Sequence, residues 1–322
     1  SARCAAIEAS AAGLHWTFAP MVDISWDARW GRVLEGAGED PYYGSLVAQA
    51  RVRGFQGDDL SANNTIMACV KHFAAYGAPA AGKDYNNVDM SMGHFANFYM
   101  PPYQAALEAG AATFMSAFND FNNQPSTGNS FLLRHLLKGE WGFKGFVVSD
   151  WGSVQEMISH RYARDEREAA LKGITAGLDM EMVSECYRHN LAQLVADGTI
   201  DEELIDDAVR RILVKKYELG LFEDPFRYCD VEREKKITHS QPLREASRHM
   251  AERSIVLLKN EQNILPLSPD IKSVALIGPL SKSQKDMCGA WSCADPSRVI
   301  TLYEAMQQRG VTINYSEGYD LE

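Results

Sequence analysis

The sequence predicts an α/β protein, because short apolar runs of strand length alternate with longer segments of helical periodicity. Five such runs each end in polar or charged residues: Trp16–Val22, Ile66–Val70, Thr113–Ala117, Phe146–Val148 and, more weakly, Ile174–Met180. The runs follow one another at intervals of about 30 to 50 residues, which is typical of βα units with some long loops. We therefore expect parallel strands that are covered by helices.

The segments between these runs have apolar residues at helical spacing, in Tyr42–Phe55, Ser130–Lys138 and Arg164–Lys172. The strongest helical periodicity lies in 201–219. Asp201 can cap the first turn of that helix, and Gly220 can end it.

A polar, irregular stretch at 223–241 is interpreted as a linker between two domains, the first of which covers 1–222. A length of 322 residues fits two domains of about 150 residues each. A helix near Pro242–Leu258 and a buried-type strand at Val274–Ile277 predict that the second domain, 242–322, is also α/β.

Composition excludes several classes of partner. The net charge is −11, from 32 Lys and Arg against 43 Asp and Glu, and no basic cluster is present, so no nucleic acid is expected. No apolar run approaches the ~20 residues that span a bilayer, so no membrane partner is expected. No oligomeric state follows from these data.

Neither metal nor another cofactor is expected from the cysteines and histidines. The eight histidines show no metal-ligand spacing, and the six cysteines show no C-x-x-C pair, so we interpret the latter as scattered thiols. The stretch Gly77–Lys83 matches G-x-x-x-x-G-K, but Asp84 stands where a phosphate loop needs Ser or Thr. A nucleotide site is therefore not predicted.

Asp150 is the strongest candidate for chemistry. It follows the buried run Phe146–Val148, at the strand end where barrel enzymes place their active sites, and Trp151 comes next. The alternative is that Asp150 caps a helix that starts near Ser153.

Two further strand-end groups are candidates for binding a ligand. Lys71 and His72 follow another strand and can both donate hydrogen bonds, unless they are one solvated lysine and one buried histidine. Arg32 lies in a loop rich in carboxylates and tryptophan, for which an ordinary salt-bridged loop is the alternative. Carboxylates, multidentate donors and flat aromatic faces together are suited to sugars.

Ordered motifs run along nearly the whole chain: APMVDISWDARWGRVLEGAGEDP, ACVKHFAAYG with KDYNNVDMS, TFMSAFNDFNNQPST, GFVVSDWGSV, AGLDMEM, and SIVLLKNEQNILPL with VALIGP. Together they resemble glycoside hydrolase family 3, in its β-glucosidase branch. The resemblance implies a (β/α)8-like TIM barrel followed by the start of an α/β sandwich domain. It also implies a retaining exo-β-glucosidase that acts on β-glucosides or cello-oligosaccharides.

The resemblance assigns roles by position. Asp150 is implied to be the nucleophile that forms a glycosyl ester. Arg32, Lys71 and His72 are implied to bind the terminal sugar, Met115 to line its pocket and Trp151 to flank the leaving group. Phe118 departs from the pattern, because relatives often have a tyrosine there. A periplasmic or secreted location is also implied.

Three alternatives remain beside the β-glucosidase. A β-xylosidase of the same family differs mainly by excluding a hydroxymethyl group, although Trp151 favours glucose. An N-acetylglucosaminidase is disfavoured, because Ala75 and Tyr76 stand where its K-H-F-P-G-H-G motif has glycine and the histidine that serves as general acid. A non-catalytic sugar-binding fragment is the third.

Two elements of the family pattern have no counterpart in the sequence. They are the first barrel strand, with its sugar-binding aspartate, and the acid/base glutamate of the second domain. Glu304, Glu317 and Glu322 lie in no matching motif, and none is assigned that role. We therefore expect these 322 residues alone to hydrolyse disaccharides poorly.

Overall fold

A computed structural model describes residues 1–289, 292 and 294–320. They divide into two compact units, Ser1–Arg253 and Ser254–Glu322. Cys293, one of the six cysteines, and Glu322 lie outside the described residues. No described helix has the length and apolar character that a membrane span requires.

The first unit is built on a parallel sheet of four strands: β1 Cys69–Phe73, β2 Thr113–Ser116, β5 Phe146–Trp151 and β6 Met180–Met182. They lie in the sheet in that order. A small antiparallel pair, β3 Asp120–Phe121 and β4 Gln124–Pro125, follows β2. Because the four sheet strands are parallel, their carboxyl ends lie along one edge, and the predicted α/β class is confirmed.

The helices that precede, connect and follow these strands are α1 Ala2–Ala11, α2 Pro41–Gln56, α3 Pro101–Glu108, α4 Phe131–Glu140, α5 Ser153–Ser159, α6 Glu166–Ala176, α7 Cys186–Ala196, α8 Glu202–Glu218, α9 Val231–Ile237 and α10 Gln241–Ser254. The bonding of α4 is π-helical. Shorter helical stretches are Val33–Glu35, Ala80–Gly82, Met92–His94, the π-helical Phe95–Tyr99, and Ser126–Gly128.

Capping side chains explain where several helices begin. Asp40, Asp165 and Asp201 each accept a hydrogen bond from a backbone N–H in the first turn of α2, α6 and α8. Asp201 therefore caps α8 as the sequence predicts.

Alternation along the strands separates two apolar clusters. Val70, Phe114 and Val147 belong to the large cluster, which also contains apolar residues of the covering helices. Their neighbours Met115 and Val148 belong to a second cluster. Both faces of the sheet are therefore buried, as expected for a sheet that carries crossover helices.

One strand prediction fails in part and another is wrong. Trp16–Val22 forms no continuous strand, but two parallel bridges, Trp16 with Met67 and Met21 with Lys71, align it with β1. The prediction of a strand at Ile174–Met180 is wrong, because α6 continues to Ala176. Gly177, at φ 103°, then ends the helix, and β6 starts only at Met180.

The segment 223–241, expected to be a linker, packs on the first unit. Arg227 donates to the backbone oxygen of Ser61, and Arg233 Nη1 donates to that of Asn63 at 2.8 Å. The segment contains α9, and the boundary between the two units falls after Arg253. The domain ranges inferred from the sequence stay a prediction.

The second unit has a strand–helix–strand arrangement. Strand β7, Ser273–Ile277, pairs in parallel with β8, Thr312–Ser316, and α11, Leu302–Gln308, lies between them in sequence. Single turns of 3₁₀ helix lie at Glu261–Asn263, Pro279–Lys282, Asp286–Cys288 and Pro296–Arg298. The predicted strand at Val274–Ile277 is confirmed.

Candidate active site

The candidate site lies at the carboxyl edge of the sheet, where β1 and β5 end. Lys71 and His72 are in β1, and Asp150 and Trp151 are the last two residues of β5. Strand β2 lies between these two strands, so the site spans neighbouring positions along one edge. This is the location that the sequence predicts for chemistry in a barrel.

The carboxylate of Asp150 faces the histidine of the first strand. Asp150 Oδ2 lies 3.4 Å from His72 Nε2, and Oδ1 accepts a hydrogen bond from the backbone N–H of Trp151 at 2.7 Å. The Asp150 side chain is 14% exposed. The helix-cap interpretation is wrong, because Gly152 occupies the N-cap position of α5 and no side chain caps that helix.

His72 is fully buried and is held from behind by an aspartate. Its Nδ1 lies 2.8 Å from Asp23 Oδ2, and its backbone N–H donates to the same oxygen at 3.0 Å. The Tyr103 hydroxyl lies 2.6 Å from both Asp23 Oδ1 and the carbonyl oxygen of His72. His72 is therefore a buried histidine, and its ring also faces Asp150.

Sequence reasoning missed Asp23 and Tyr103. Asp23 had a usable signal, because it directly follows the first apolar run and so stands at the same strand edge as Lys71 and Asp150. Tyr103 gave no signal, because it lies in α3 and is brought to the site only by tertiary packing.

Arg32 is engaged by a carboxylate in its own loop. Its Nε and Nη2 donate to the two oxygens of Glu35 at 2.7 and 3.0 Å, and its guanidinium lies 5.5 Å from the centre of the Tyr76 ring. Burial lowers the pKa of Arg32, but the hydrogen bond and charge of Glu35, with a contribution from Tyr76, reverse this and raise it. The salt-bridged loop is thus present.

Glu35 connects this loop with the cations of β1. The hydrogen bond from Arg32 lowers the pKa of Glu35 against the effect of burial, and the positive charges of Arg32, Lys71 and His72 lower it further. Arg32 binds this carboxylate directly, and the charge of Lys71 also acts on it.

An aromatic cluster continues from His72 through Tyr76. The Tyr76 ring lies edge-on to His72 at 4.9 Å and contacts Trp30 at 5.3 Å. Phe118, which is buried, lies 4.6 Å from Tyr85. Burial raises the pKa of Tyr85, and the charges of Glu156, Asp84 and Asp150 raise it further.

Met115 and Trp151 have opposite environments. Met115 is 1% exposed and belongs to an interior cluster, so its contact with a sugar stays a prediction. Trp151 is 65% exposed at the end of β5. An exposed indole beside a strand-end carboxylate offers a flat face for a ligand.

A second group of ionisable residues, which sequence reasoning also missed, lies on α5 and after it. His160 Nδ1 is 2.7 Å from Asp120 Oδ1, and this hydrogen bond raises the pKa of His160 against the effect of burial. Burial raises the pKa of Glu156, and the negative charge of Asp150 raises it further. The charge of Asp150 therefore acts on Glu156 in the same direction as burial.

The Gly77–Lys83 stretch is a structural loop in this fold. Asp84 accepts a hydrogen bond from Trp30 Nε1 at 2.8 Å, and Ala80–Gly82 is a single 3₁₀ turn rather than the start of a long helix. A Cβ atom at Gly77 would lie 2.1 Å from the carbonyl oxygen of Ile24, so only glycine allows this close approach. In the described part of the chain, no group of three His, Cys, Asp or Glu residues is arranged to hold a metal ion.

A parallel sheet with a carboxylate, an imidazole and a lysine at its carboxyl edge has the arrangement of an active site in an α/β enzyme. Residues 1–214 match the glycosyl hydrolase family 3 N terminal domain, and residues 255–316 match the family's C-terminal domain. The chain belongs to glycosyl hydrolase family 3. This confirms both the resemblance and the TIM-barrel-like fold that it implied.

Solved and curated relatives agree with this assignment. A mutant β-glucosidase from Listeria innocua, solved in complex with laminaribiose, superposes with a TM-score of 0.95 at 42% identity, over 98% of this chain and 44% of that one. The periplasmic beta-glucosidase of Salmonella typhimurium is 41% identical over 99% of this chain and 42% of its own length. A beta-xylosidase of Formosa agariphila is 35% identical over 98% of this chain and 46% of its own. The chain thus spans less than half the length of these relatives.

Proposed function

We propose that this chain carries the nucleophile and the terminal-sugar contacts of a retaining β-glucosidase, with Asp150 as the nucleophile. The observation that carries the proposal is the place of Asp150: a partly exposed carboxylate at the end of β5, 3.4 Å from His72 Nε2. The family match and the β-glucosidase relatives support this reaction class.

The reaction proceeds by two displacements at the anomeric carbon. An oxygen of the ionised Asp150 carboxylate attacks that carbon, the bond to the leaving oxygen breaks with its electron pair, and an ester forms. The leaving oxygen takes up a proton from a second carboxyl group. Water, deprotonated by that second group, then attacks the same carbon and releases Asp150 with overall retention.

We do not assign the second carboxyl group to Glu304. Its Oε2 accepts hydrogen bonds from the backbone N–H and the hydroxyl of Thr301, in the capping box that begins α11. That carboxylate is occupied in stabilising a helix terminus.

The substrate class is β-glucosides, including cello-oligosaccharides. The support is the naming of the relatives at 41–42% identity, one of which was solved with laminaribiose. We also infer a periplasmic location, on the name of the Salmonella relative. Fractionation of the source cells tests that location.

β-Xylosides are the second candidate, because a beta-xylosidase is 35% identical over 98% of this chain. The two sugars differ by one hydroxymethyl group. The ratio of kcat/KM for aryl β-glucoside to that for aryl β-xyloside separates the candidates, and a ratio below one favours the xylosidase.

Covalent trapping tests the proposed function. The natural protein that contains these residues is incubated with 2,4-dinitrophenyl 2-deoxy-2-fluoro-β-D-glucoside, whose leaving group departs without a proton. Peptide mass spectrometry should find the fluorosugar on Asp150. A label on another carboxylate contradicts the assignment, and glucose binding without any label or turnover favours the non-catalytic alternative.

Alanine variants of Arg32, Lys71 and His72 test the sugar contacts. Each substitution should lower kcat/KM by roughly 10- to 150-fold, because each removes a charged hydrogen bond of ~1.5–3 kcal/mol. Arg29→Ala is the matched control, since Arg29 is exposed and pairs with Asp27. If the three variants lose no more than this control, the strand-edge donors do not bind the sugar.

Trp151→Ala should weaken the leaving-group side of the site. Disaccharides, which place a sugar against the exposed indole, should lose more kcat/KM than aryl glucosides with good leaving groups. Steady-state kinetics on cellobiose and dinitrophenyl glucoside measure the difference. Equal losses would contradict a leaving-group platform at Trp151.

A further inference from the structure

We propose that Asp23 is a positioning residue for His72: it fixes the ring with the proton on Nδ1 and leaves Nε2 directed at Asp150. The kinetic part of this inference rests on the proposed function. The structural part concerns the ring alone and stands apart from any turnover.

Backbone register brings the two residues together. Met21 pairs with Lys71 in a parallel bridge, and the N–H of Val22 donates to the carbonyl of Lys71 at 2.8 Å. Asp23 follows Val22, and His72 follows Lys71, so the two residues come to adjacent positions near the carboxyl end of β1. The contact is therefore fixed by the fold and does not depend on a flexible loop.

Hydrogen bonding at Asp23 defines which ring nitrogen carries a proton. Oδ2 lies 2.8 Å from His72 Nδ1 and also accepts from the backbone N–H of His72 at 3.0 Å. A carboxylate oxygen only accepts hydrogen bonds, so Nδ1 is the donor. Rotation of the ring by half a turn would put a C–H against Asp23 and leave a buried acceptor without its partner, which is unfavourable.

Tyr103 fixes the other oxygen of the same carboxylate. Its hydroxyl lies 2.6 Å from Asp23 Oδ1 and equally close to the carbonyl of His72. Burial, together with the charge of Asp23, raises the pKa of Tyr103 well above its usual value, so the phenol keeps its proton and donates. Both oxygens of Asp23 are thus occupied, and the carboxylate has one orientation.

The second ring nitrogen of His72, Nε2, faces the carboxylate of Asp150. His72 Nε2 is buried, has no hydrogen-bond partner in the part of the chain that the structure describes, and lies 3.4 Å from Asp150 Oδ2. Asp23 itself is 2% exposed, so it acts on a sugar only through His72. A ring that donates to a sugar through Nε2 while it donates to Asp23 through Nδ1 carries both protons.

The first test is spectroscopic and uses the unmodified sequence. Protein labelled with ¹⁵N-histidine is examined by NMR, and the His72 signals are identified by their loss in His72→Gln. We expect Nδ1 of His72 to be protonated, and this coupling pattern to change in Asp23→Asn or, if that variant does not fold, in Tyr103→Phe. An unprotonated Nδ1 of His72 in the unmodified protein would overturn the inference.

The second test is a double-mutant cycle on kcat/KM. In the unmodified background, Asp23→Asn should lower kcat/KM at least about tenfold, because it removes one charge-assisted hydrogen bond to His72. In the His72→Gln background, the same substitution should lower kcat/KM less than about twofold. Asp179→Asn is the matched control, because Asp179 is a buried carboxylate bound to Lys138, and its effect should be equal in both backgrounds.

An equal loss for Asp23→Asn in both backgrounds would show that Asp23 acts on the fold in general, and would overturn the inference. If no turnover is found at all, the proposed function fails while the NMR result still decides on Asp23.

Discussion

Replacement of Asp150 with alanine is expected to lower kcat for an aryl β-glucoside by roughly 10⁴-fold or more, because binding does not compensate for a missing nucleophile. Folding should change little. The Asp150 side chain is partly exposed, and its hydrogen bond in the fold is to the backbone of the adjacent Trp151. Circular dichroism and glucose binding verify that the variant keeps its structure.

Azide provides the decisive control for this variant. Small enough to enter the space left by the carboxylate, it can attack the anomeric carbon of an activated glucoside directly. A single displacement inverts the configuration, so the product should be α-glucosyl azide. Asp197→Ala removes an exposed carboxylate that pairs with Arg167, and should leave kcat within about twofold. Ordinary turnover by Asp150→Ala, or no azide product, would contradict the nucleophile assignment.

Replacement of Lys138 with methionine is expected to destabilise the first unit by about 3–5 kcal/mol, because it leaves Asp179 as a buried charge without its partner. Lys138 Nζ lies 2.6 Å from Asp179 Oδ1, and the two side chains are 7% and 3% exposed. Burial is the main effect on both groups: it lowers the pKa of Lys138 and raises that of Asp179. The Asp179 carboxylate also accepts the backbone N–H of Val147 at 2.7 Å, in the strand that leads to Asp150.

Thermal unfolding measures this loss, and Tm should fall by roughly 6–20 °C in a unit of this size. The double variant Lys138→Met, Asp179→Leu should recover much of the stability, since it removes both charges. Lys235→Met is the control, because its ion pair with Glu232 is exposed. A change of less than about 2 °C in Lys138→Met would show that the buried pair does not stabilise the sheet.

The sequence predicted the parts of the site that depend on local patterns. Asp150 could be found because a buried strand run ends in a carboxylate, and Lys71 and His72 because a second run ends in two donors. The contacts that hold these groups could not be found in this way. Tyr103 reaches Asp23 from a helix 80 residues further along the chain, and no local periodicity encodes that meeting.

The fold shows the same limit. The α/β class follows from strand and helix patterns that each occupy a few consecutive residues. The sequence predicts a strand that includes Ile174, because a short apolar run occurs both in strands and at the buried end of a helix, and its composition does not distinguish them. In the structure, the left-handed conformation of Gly177 decides where that helix stops.

The exposed indole at the end of β5 is also a built-in optical probe. Trp151 is 65% exposed, whereas Trp30 is 1% exposed, so a water-soluble quencher such as iodide reaches the first and not the second. A sugar that covers Trp151 therefore protects part of the tryptophan emission from iodide, and Trp151→Phe removes that protected part. Iodide quenching of tryptophan fluorescence can thus report whether a sugar occupies the leaving-group side, even when no substrate is hydrolysed.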